Sequence, residues 1–237
     1  MSVFAQLVEQ LAELLQPLFH ASAAAAAIVL FTALVRLLVH PLSRAAARGQ
    51  KARAALQPRV AELRKKYRKD PEKLQRAVLE LHAEEKVSPL SGVLPGLLQL
   101  PAFFVLYQLF SSTTIGGGAN ALLGHRLLAA PLGGRWADAL ARGGVFGAAG
   151  LVYVGLFVAV AGVATFNLVR ARRAAAVNSP VAVAGDEQVP GLAVVGKVAP
   201  FLSFFTLVTV AVVPLAAALY VVTSTTWSAV ERVVLYR

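Results

Sequence analysis

Gly147-Ala-Ala-Gly-Leu-Val-Tyr-Val-Gly-Leu-Phe-Val-Ala-Val-Ala-Gly-Val-Ala-Thr-Phe-Asn-Leu-Val169 is a run of 23 residues without a charged side chain. As a helix rising 1.5 Å per residue it reaches about 35 Å, enough to cross a hydrocarbon core of about 30 Å. Arg170, Arg172 and Arg173 close it at once. The chain around this span has the same character: of 237 residues, 57% are hydrophobic and 15% charged, and the mean hydropathy is +0.66. A soluble domain needs charge over roughly a quarter to a third of its surface. Charge here is too scarce and too clustered for an ordinary cytosolic enzyme. The absence of cysteine excludes disulfide scaffolds, thiol nucleophiles, cysteine-ligated zinc and iron-sulfur centres together.

Working outward, further spans emerge. Residues 1–20 lack Lys and Arg and place Val3, Phe4, Leu7, Val8, Leu11, Leu14, Leu15 and Leu18 at helical spacing around Glu9 and Glu13. The segment reads as an external amphipathic helix lying on a membrane face, and its acidic start argues against a cleavable secretory signal. The first span covers 21–40, with Arg36 as its one charge. Residues 41–89 reverse the character, with thirteen Lys or Arg and six Asp or Glu, and so lie outside the bilayer. The second span covers 90–110, a Gly-rich loop 111–146, and the third span 147–169. A polar linker at 170–197 leads to 33 uncharged residues before Glu231. One helix of that length would be about 50 Å long, so Pro214 divides it into a fourth span, 198–213, and a fifth, 214–230, with a tail at 231–237. Both are short, which favours local thinning of the bilayer.

The fold class expected is therefore an all-α polytopic membrane protein with five transmembrane helices and a cytoplasmic helical hairpin between the first two. Basic residues fall on alternate connections, as the positive-inside rule requires. There are thirteen after span one, four after span three and two in the tail, against none at the N-terminus and three in the loop after span two. The N-terminus is then outside and the C-terminus cytoplasmic. Within the hairpin, Leu56, Val60, Leu63 and Tyr67 form one apolar seam, and Leu74, Val78 and Leu81 repeat it after Asp70-Pro71. Asp before Pro suits a helix start, and Pro58 should kink the first arm rather than end it.

These residues resemble a known family. Thr32-Ala-Leu-Val-Arg-Leu-Leu-Val-His-Pro-Leu42, then Leu56-Gln-Pro58, then Lys66-Tyr-Arg-Lys-Asp-Pro-Glu-Lys-Leu-Gln75 look like the core of the YidC/Oxa1/Alb3 membrane protein insertases. Downstream, Ser88-Pro-Leu-Ser-Gly-Val-Leu-Pro95 with Gln99-Leu-Pro101 and Leu106-Tyr107 is similar to that family's second span. Pro200-Phe201 through Pro214 to Leu219-Tyr220 resembles its last two spans. The order and spacing of these fragments carry the resemblance across roughly residues 28–110 and 150–231. This chain departs from the usual pattern at Ser88, Pro214-Leu-Ala-Ala217, Val221 and Glu231, which marks a divergent member.

Arg36 needs a reason, because a charge centred in a span costs about 2.5 to 3.5 kcal/mol on insertion scales. It lies one turn from His40, so its guanidinium can snorkel to the cytoplasmic interface. The resemblance implies instead a hydrophilic groove open to the cytoplasm and to lipid, with Arg36 as its fixed charge. Thr32, Gln99, Thr165, Asn167 and Ser224 are the uncharged polar groups expected to wet it, each with the competing reading of an interhelical hydrogen bond. Arg64, Lys65, Lys66, Arg68 and Lys69 form the densest basic cluster, suited to anionic membrane lipids, ribosomal RNA or nothing specific. The resemblance implies a bacterial plasma membrane protein that helps nascent membrane proteins insert without nucleotide hydrolysis, alongside the Sec translocon and the ribosome. A monomer is expected, with no specific DNA partner. No phosphate loop, metal-spaced cluster or Ser-His-Asp arrangement occurs, and His20, His40, His82 and His125 are scattered; no enzyme, cofactor or metal is expected. Two rivals remain: a small-solute transporter or channel with Arg36 as an anion site, and a purely structural membrane chaperone.

Overall fold

The computed structural model describes residues 2–87, 94–177 and 199–235. Residues 178–197 of the linker, the first residue of the fourth span, the Ser88–Val93 part of the second-span motif and the last two residues of the tail lie outside them. Eight α-helices are present among the described residues: α1 (Ser2–Phe19), α2 (Ala23–Lys66), α3 (Pro71–Glu84), α4 (Leu94–Ser111), α5 (Trp136–Gly143), α6 (Ala148–Val177), α7 (Phe205–Val212) and α8 (Leu215–Leu235). Two minimal antiparallel ladders, β1 (Thr114–Ile115) with β2 (Gly118–Ala119) and β3 (Arg126–Leu127) with β4 (Ala130–Pro131), lie between α4 and α5. By length and composition, the stretches Val3–Lys66 and Ala148–Arg173 are the two among the described residues that are long and apolar enough to cross a membrane.

The chain divides into two compact units, Met1–Val35 with Val105–Val230 and Arg36–Phe104 with Glu231–Arg237. In the first, α1 turns into α2 at His20, whose φ of 48° makes the corner. Ala5, Val8 and Ala12 of α1 are buried, as are Ala24, Ala25, Ala27, Ile28 and Phe31 of α2. They share one core with Leu106, Leu109 and Phe110 of α4, Tyr153 and Val160 of α6, Val210 of α7 and Leu215 to Val221 of α8. So many alanines let backbones approach closely, which is how helices gain packing energy where lipid removes the hydrophobic drive between them.

One end of this unit is organised by residues 112–147. Asn120 is buried; its amide donates to the carbonyls of Leu109 and Ser112, both at 2.9 Å, and its Oδ1 accepts from Leu122 N. That closes the last turn of α4, whose carbonyls have no helical partner. Leu128 N–H donates to Ser22 Oγ at 3.1 Å, just before α2 begins. Pro214 breaks the chain between α7 and α8, leaving the first N–H groups of α8 open. Leu215 N–H donates to Gly134 O and Ala216 N–H to Leu132 O, both at 2.9 Å. Gly134 O also accepts from Tyr153 Oη at 2.6 Å. The starts of α2, α6 and α8 and the ends of α4 and α7 thus gather on one short segment.

In the second unit, α2 continues through Pro41 and Pro58 without interruption to Lys66. After a turn, Asp70 caps α3 by accepting Lys73 N–H at 3.0 Å, with Pro71 at the first helical position. Leu56 and Val60 of α2 and Leu81 of α3 are buried, and an exposed Arg59–Glu85 ion pair flanks them. The two arms therefore pack along an apolar seam.

The turn into α6 is tight. A Cβ on Gly150 would stand 2.3 Å from Gly144 O and 2.5 Å from Val145 O. Gly144, at φ 70°, bends the chain back over the helix start. We expect Gly150→Ala to destabilise the protein by about 1–3 kcal/mol, the usual range for overpacking, read as a lower thermal unfolding midpoint of the purified protein in detergent. An unchanged midpoint would show that this turn relaxes freely.

Candidate functional site

The side chains expected to act together are divided between the two units, and each set stands within its own. In the first unit Thr32 is fully buried, and its hydroxyl donates to Ile28 O at 2.7 Å. Its proton is therefore taken by its own helix. Thr165 is exposed on the stripe of α6 that also carries Leu151, Val158 and Phe166. Asn167, two residues on, differs: its Oδ1 is buried and has no hydrogen-bond partner among the described residues. Ser224 of α8 is buried at 4% exposure.

A second such atom lies on α8. Trp227 Nε1 of α8 is buried and equally without a partner among the described residues. An unsatisfied buried donor or acceptor costs about 1–3 kcal/mol, so each such group in a native fold calls for an explanation. One is an acceptor and the other a donor. Reasoning from the sequence passed over Trp227, although it lies in Thr223-Ser-Thr-Thr-Trp-Ser228, five hydroxyl residues around one indole in a charge-free run. Two of those hydroxyls bond back along the helix, Thr225 to Val221 O at 2.9 Å and Ser228 to Ser224 O at 3.0 Å. The indole, with no acceptor inside its own helix, stands out from them.

In the second unit Arg36 is half-buried and engages a partner. One turn on, His40 Nδ1 lies 2.5 Å from Glu231 Oε1, with side chains 27% and 12% exposed. This contact fastens the last turns of α8 to α2 at the level of Arg36's neighbouring turn. Gln99 falls within α4, but its side chain is outside the described residues. Arg64, Lys65 and Lys66 occupy the last turn of α2, where positive charge complements the helix dipole. Those three, with Arg68 and Lys69, are all exposed, and Lys66 Nζ lies 5.3 Å from the centre of the Tyr67 ring. Two open clefts flank the seam: one of about 430 Å³ bordered by Glu62, Lys66, Tyr67, Glu80 and Glu84, and a more apolar one of about 270 Å³ along Val60, Leu74, Val78 and Leu79. Among the described residues no cluster of His, Asp or Glu could hold a metal ion.

These features describe a helical membrane protein with polar groups set into apolar helices and a basic helical arm. The family model of the 60Kd inner membrane protein matches residues 15–237. The chain therefore belongs to that family, the YidC/Oxa1 group that its motifs resemble. It is similar to the membrane protein insertase YidC of Clostridium perfringens, 42% identical over 95 residues, which are 40% of this chain and 40% of that protein. The Geobacter sulfurreducens YidC is 39% identical over 82 residues, 35% of this chain and 15% of the relative. That of Polynucleobacter asymbioticus is 36% identical over 104 residues, 44% and 19% respectively. The matched stretches thus span well under half the length of these relatives.

Asp70 offers a check on the hairpin. The Lys73 backbone N–H, and then its ammonium 3.1 Å away, hold the Asp70 carboxyl below its ordinary value. A depressed carboxylate stabilises the fold above its unfolded pKa of about 3.9, and that contribution is lost as pH falls through the lower folded value. We expect α3 to fray only below about pH 4 in wild type, and at neutral pH in Asp70→Ala, while Asp70→Asn keeps the cap. Amide hydrogen exchange across residues 71–76 reads this directly. Equal protection in all three proteins at neutral pH would remove the cap from the account.

Proposed function

We propose that this protein is a membrane protein insertase and chaperone, which receives nascent membrane proteins and helps them insert and fold in the bilayer without hydrolysing nucleotide. The observation that carries the reading is the two unpartnered polar atoms, Asn167 Oδ1 and Trp227 Nε1, buried in the charge-free stretches of α6 and α8 in a chain whose relatives are named membrane protein insertases. A polar amide moved into a medium without hydrogen bonds costs about 4–8 kcal/mol. A hydrophilic groove open to the cytoplasm and to lipid shortens the dry path that a client's polar tail must cross. Asn167 and Trp227 offer it an acceptor and a donor, with Ser224 and Thr165 as further polar groups. Gln99 and Arg36 are proposed as polar groups of the second unit, whereas Thr32, buried with its proton on Ile28 O, belongs to the scaffold. Arg36 supplies positive charge in low dielectric, which attracts acidic residues of the tail. A short fourth span lowers the barrier further by thinning the bilayer.

The gathering of five helix ends on residues 112–147 supports an alternating five-span topology, because successive spans must return to the same face. The external face is that end, and α1 lies on it, with Val3, Leu14 and Leu18 exposed and available to lipid. The basic arm of α2 and α3 is then cytoplasmic, where Arg64, Lys65, Lys66, Arg68 and Lys69 meet anionic headgroups, the ribosome or the Sec translocon. The protein acts as a monomer in a bacterial plasma membrane and is not an enzyme.

Proteoliposomes holding only the purified chain test this, with a client bearing a short acidic external tail and protease protection as the readout. Wild type is expected to protect the tail, Arg36→Ala to lose most of that protection, and Arg36→Lys to keep much of it. Protection no greater than in empty liposomes would overturn the insertase reading, and equal protection by all three would remove Arg36 from it.

The indole gives a separate check. Removing an unpaired buried donor does not destabilise a fold as removing a paired one does. Trp227→Phe is expected to leave the unfolding midpoint unchanged or slightly raised while tail protection falls several-fold. A lowered midpoint with unchanged protection would make Trp227 a packing residue only.

A further inference from the structure

The exposed stripe of α6 does not stop where the helix does. Leu151 and Val158 are 54% and 68% exposed, and the apolar character continues past the helix start to Phe146 at 88% and Val145 at 42%. Phe146 is the most exposed large apolar residue described in the chain. Four residues before it stands Arg142, on the outward side of α5, whose opposite side holds Trp136 against Tyr153 and Phe157. At the other edge of the same segment, Leu128 is 71% exposed at the tip of the β3–β4 hairpin, in left-handed conformation, tied to Ser22 just before α2 begins. Both apolar tips therefore sit at the level where an apolar helix starts. Residues 111–146 carry three arginines, Arg126, Arg135 and Arg142, against one aspartate. Asp138 already accepts Arg135 N–H at 2.8 Å, and its carbonyl accepts Arg142 Nε–H at 3.0 Å.

We propose that residues 126–146 form a foot in the headgroup layer of the bilayer, with Phe146, Val145 and Leu128 among the upper acyl chains and the three arginines on the phosphates of anionic phospholipid. Charge complementarity and continuity with the apolar stripe of α6 point to this occupant. An arginine pairs with phosphate bidentately, and an apolar side chain next to basic residues is the composition of an interfacial anchor. Because Leu132 and Gly134 of the same segment hold the first N–H groups of α8, the foot sets the height of the α7–α8 turn against the bilayer surface. The inference rests on α6 crossing the bilayer and on no client or insertase activity.

The chain has no cysteine, so Phe146→Cys takes a single polarity-sensitive fluorophore on the 237-residue chain in nanodiscs. The expected result is a blue-shifted label, strongly quenched by lipids carrying a nitroxide high on the acyl chain, whereas a label at Thr114→Cys, exposed outside the foot, is not. Phosphatidylglycerol retained by the protein, counted by native mass spectrometry from mixed phosphatidylcholine and phosphatidylglycerol discs, is expected to fall several-fold in Arg126→Gln/Arg135→Gln/Arg142→Gln. A water-like, unquenched label at 146 would overturn the foot. A buried label with unchanged phosphatidylglycerol retention in the triple variant would overturn the anionic-lipid assignment and leave an apolar anchor.

Discussion

The first N–H groups of a helix must find acceptors, and the start of α8 meets that demand in a way on which much of the first unit depends. Pro214 has no N–H and stops α7, so the chain must restart with its orphan donors pointing out of the bundle end. In water, solvent would satisfy them; beside hydrocarbon, each would cost several kcal/mol. The carbonyls of Leu132 and Gly134 meet Leu215 and Ala216 instead. Because Gly134 O also takes the Tyr153 hydroxyl, one backbone position links α8 to α6. The run of fully buried residues from Leu215 to Ala218 follows from this closure, since alanines can pack to backbone distance only if the turn above them is held.

The same obligation explains Asn120. Its side chain has one acceptor and two donors, and all three are used, on Leu122 N–H and on the carbonyls of Leu109 and Ser112. It therefore does for the end of α4 what Leu132 and Gly134 do for the start of α8. A segment whose own ladders are two residues long is stable because it exchanges backbone hydrogen bonds with helix ends rather than because it builds a sheet. Polar closure at one end contrasts with Asn167 and Trp227, where polar atoms are buried and left open.

Much of the helical plan was legible because charge and apolar spacing are side-chain properties. The start of α3 at Asp70-Pro71 and the Leu56, Val60 and Leu81 seam follow from helix-start chemistry and from a repeat of four residues. The boundary drawn at Pro41 came from a change in charge, whereas the backbone continues through it as one helix, because the helix responds to its hydrogen-bond ladder and not to the solvent around it. The closure by residues 131–134 was illegible for a plainer reason. Pro-Leu-Gly-Gly contributes carbonyl oxygens, which every residue carries, and so leaves no pattern to read. In the candidate site, Arg36 stood out as a charge in an apolar run, and Asn167 as an amide near the end of one. Trp227 did not, because an indole is apolar by most measures and becomes polar only when its one N–H is left without an acceptor.

Thr32 and Asn167 show why a list of polar residues in apolar helices is not yet a site. Both are small polar side chains in long charge-free runs, and the sequence treats them alike. A threonine can return its proton to the carbonyl four residues back, as Thr32 does at 2.7 Å, and is then nearly as inert as valine. An asparagine's amide oxygen is an acceptor, and the N–H groups inside its own helix are already engaged, so it is satisfied only from another element or by water. The indole N–H of Trp227 is under the same constraint with the opposite sign. What distinguishes a group available for function from one consumed by the fold is therefore its reach relative to its own helix, a geometric property of the side chain that polarity alone does not report.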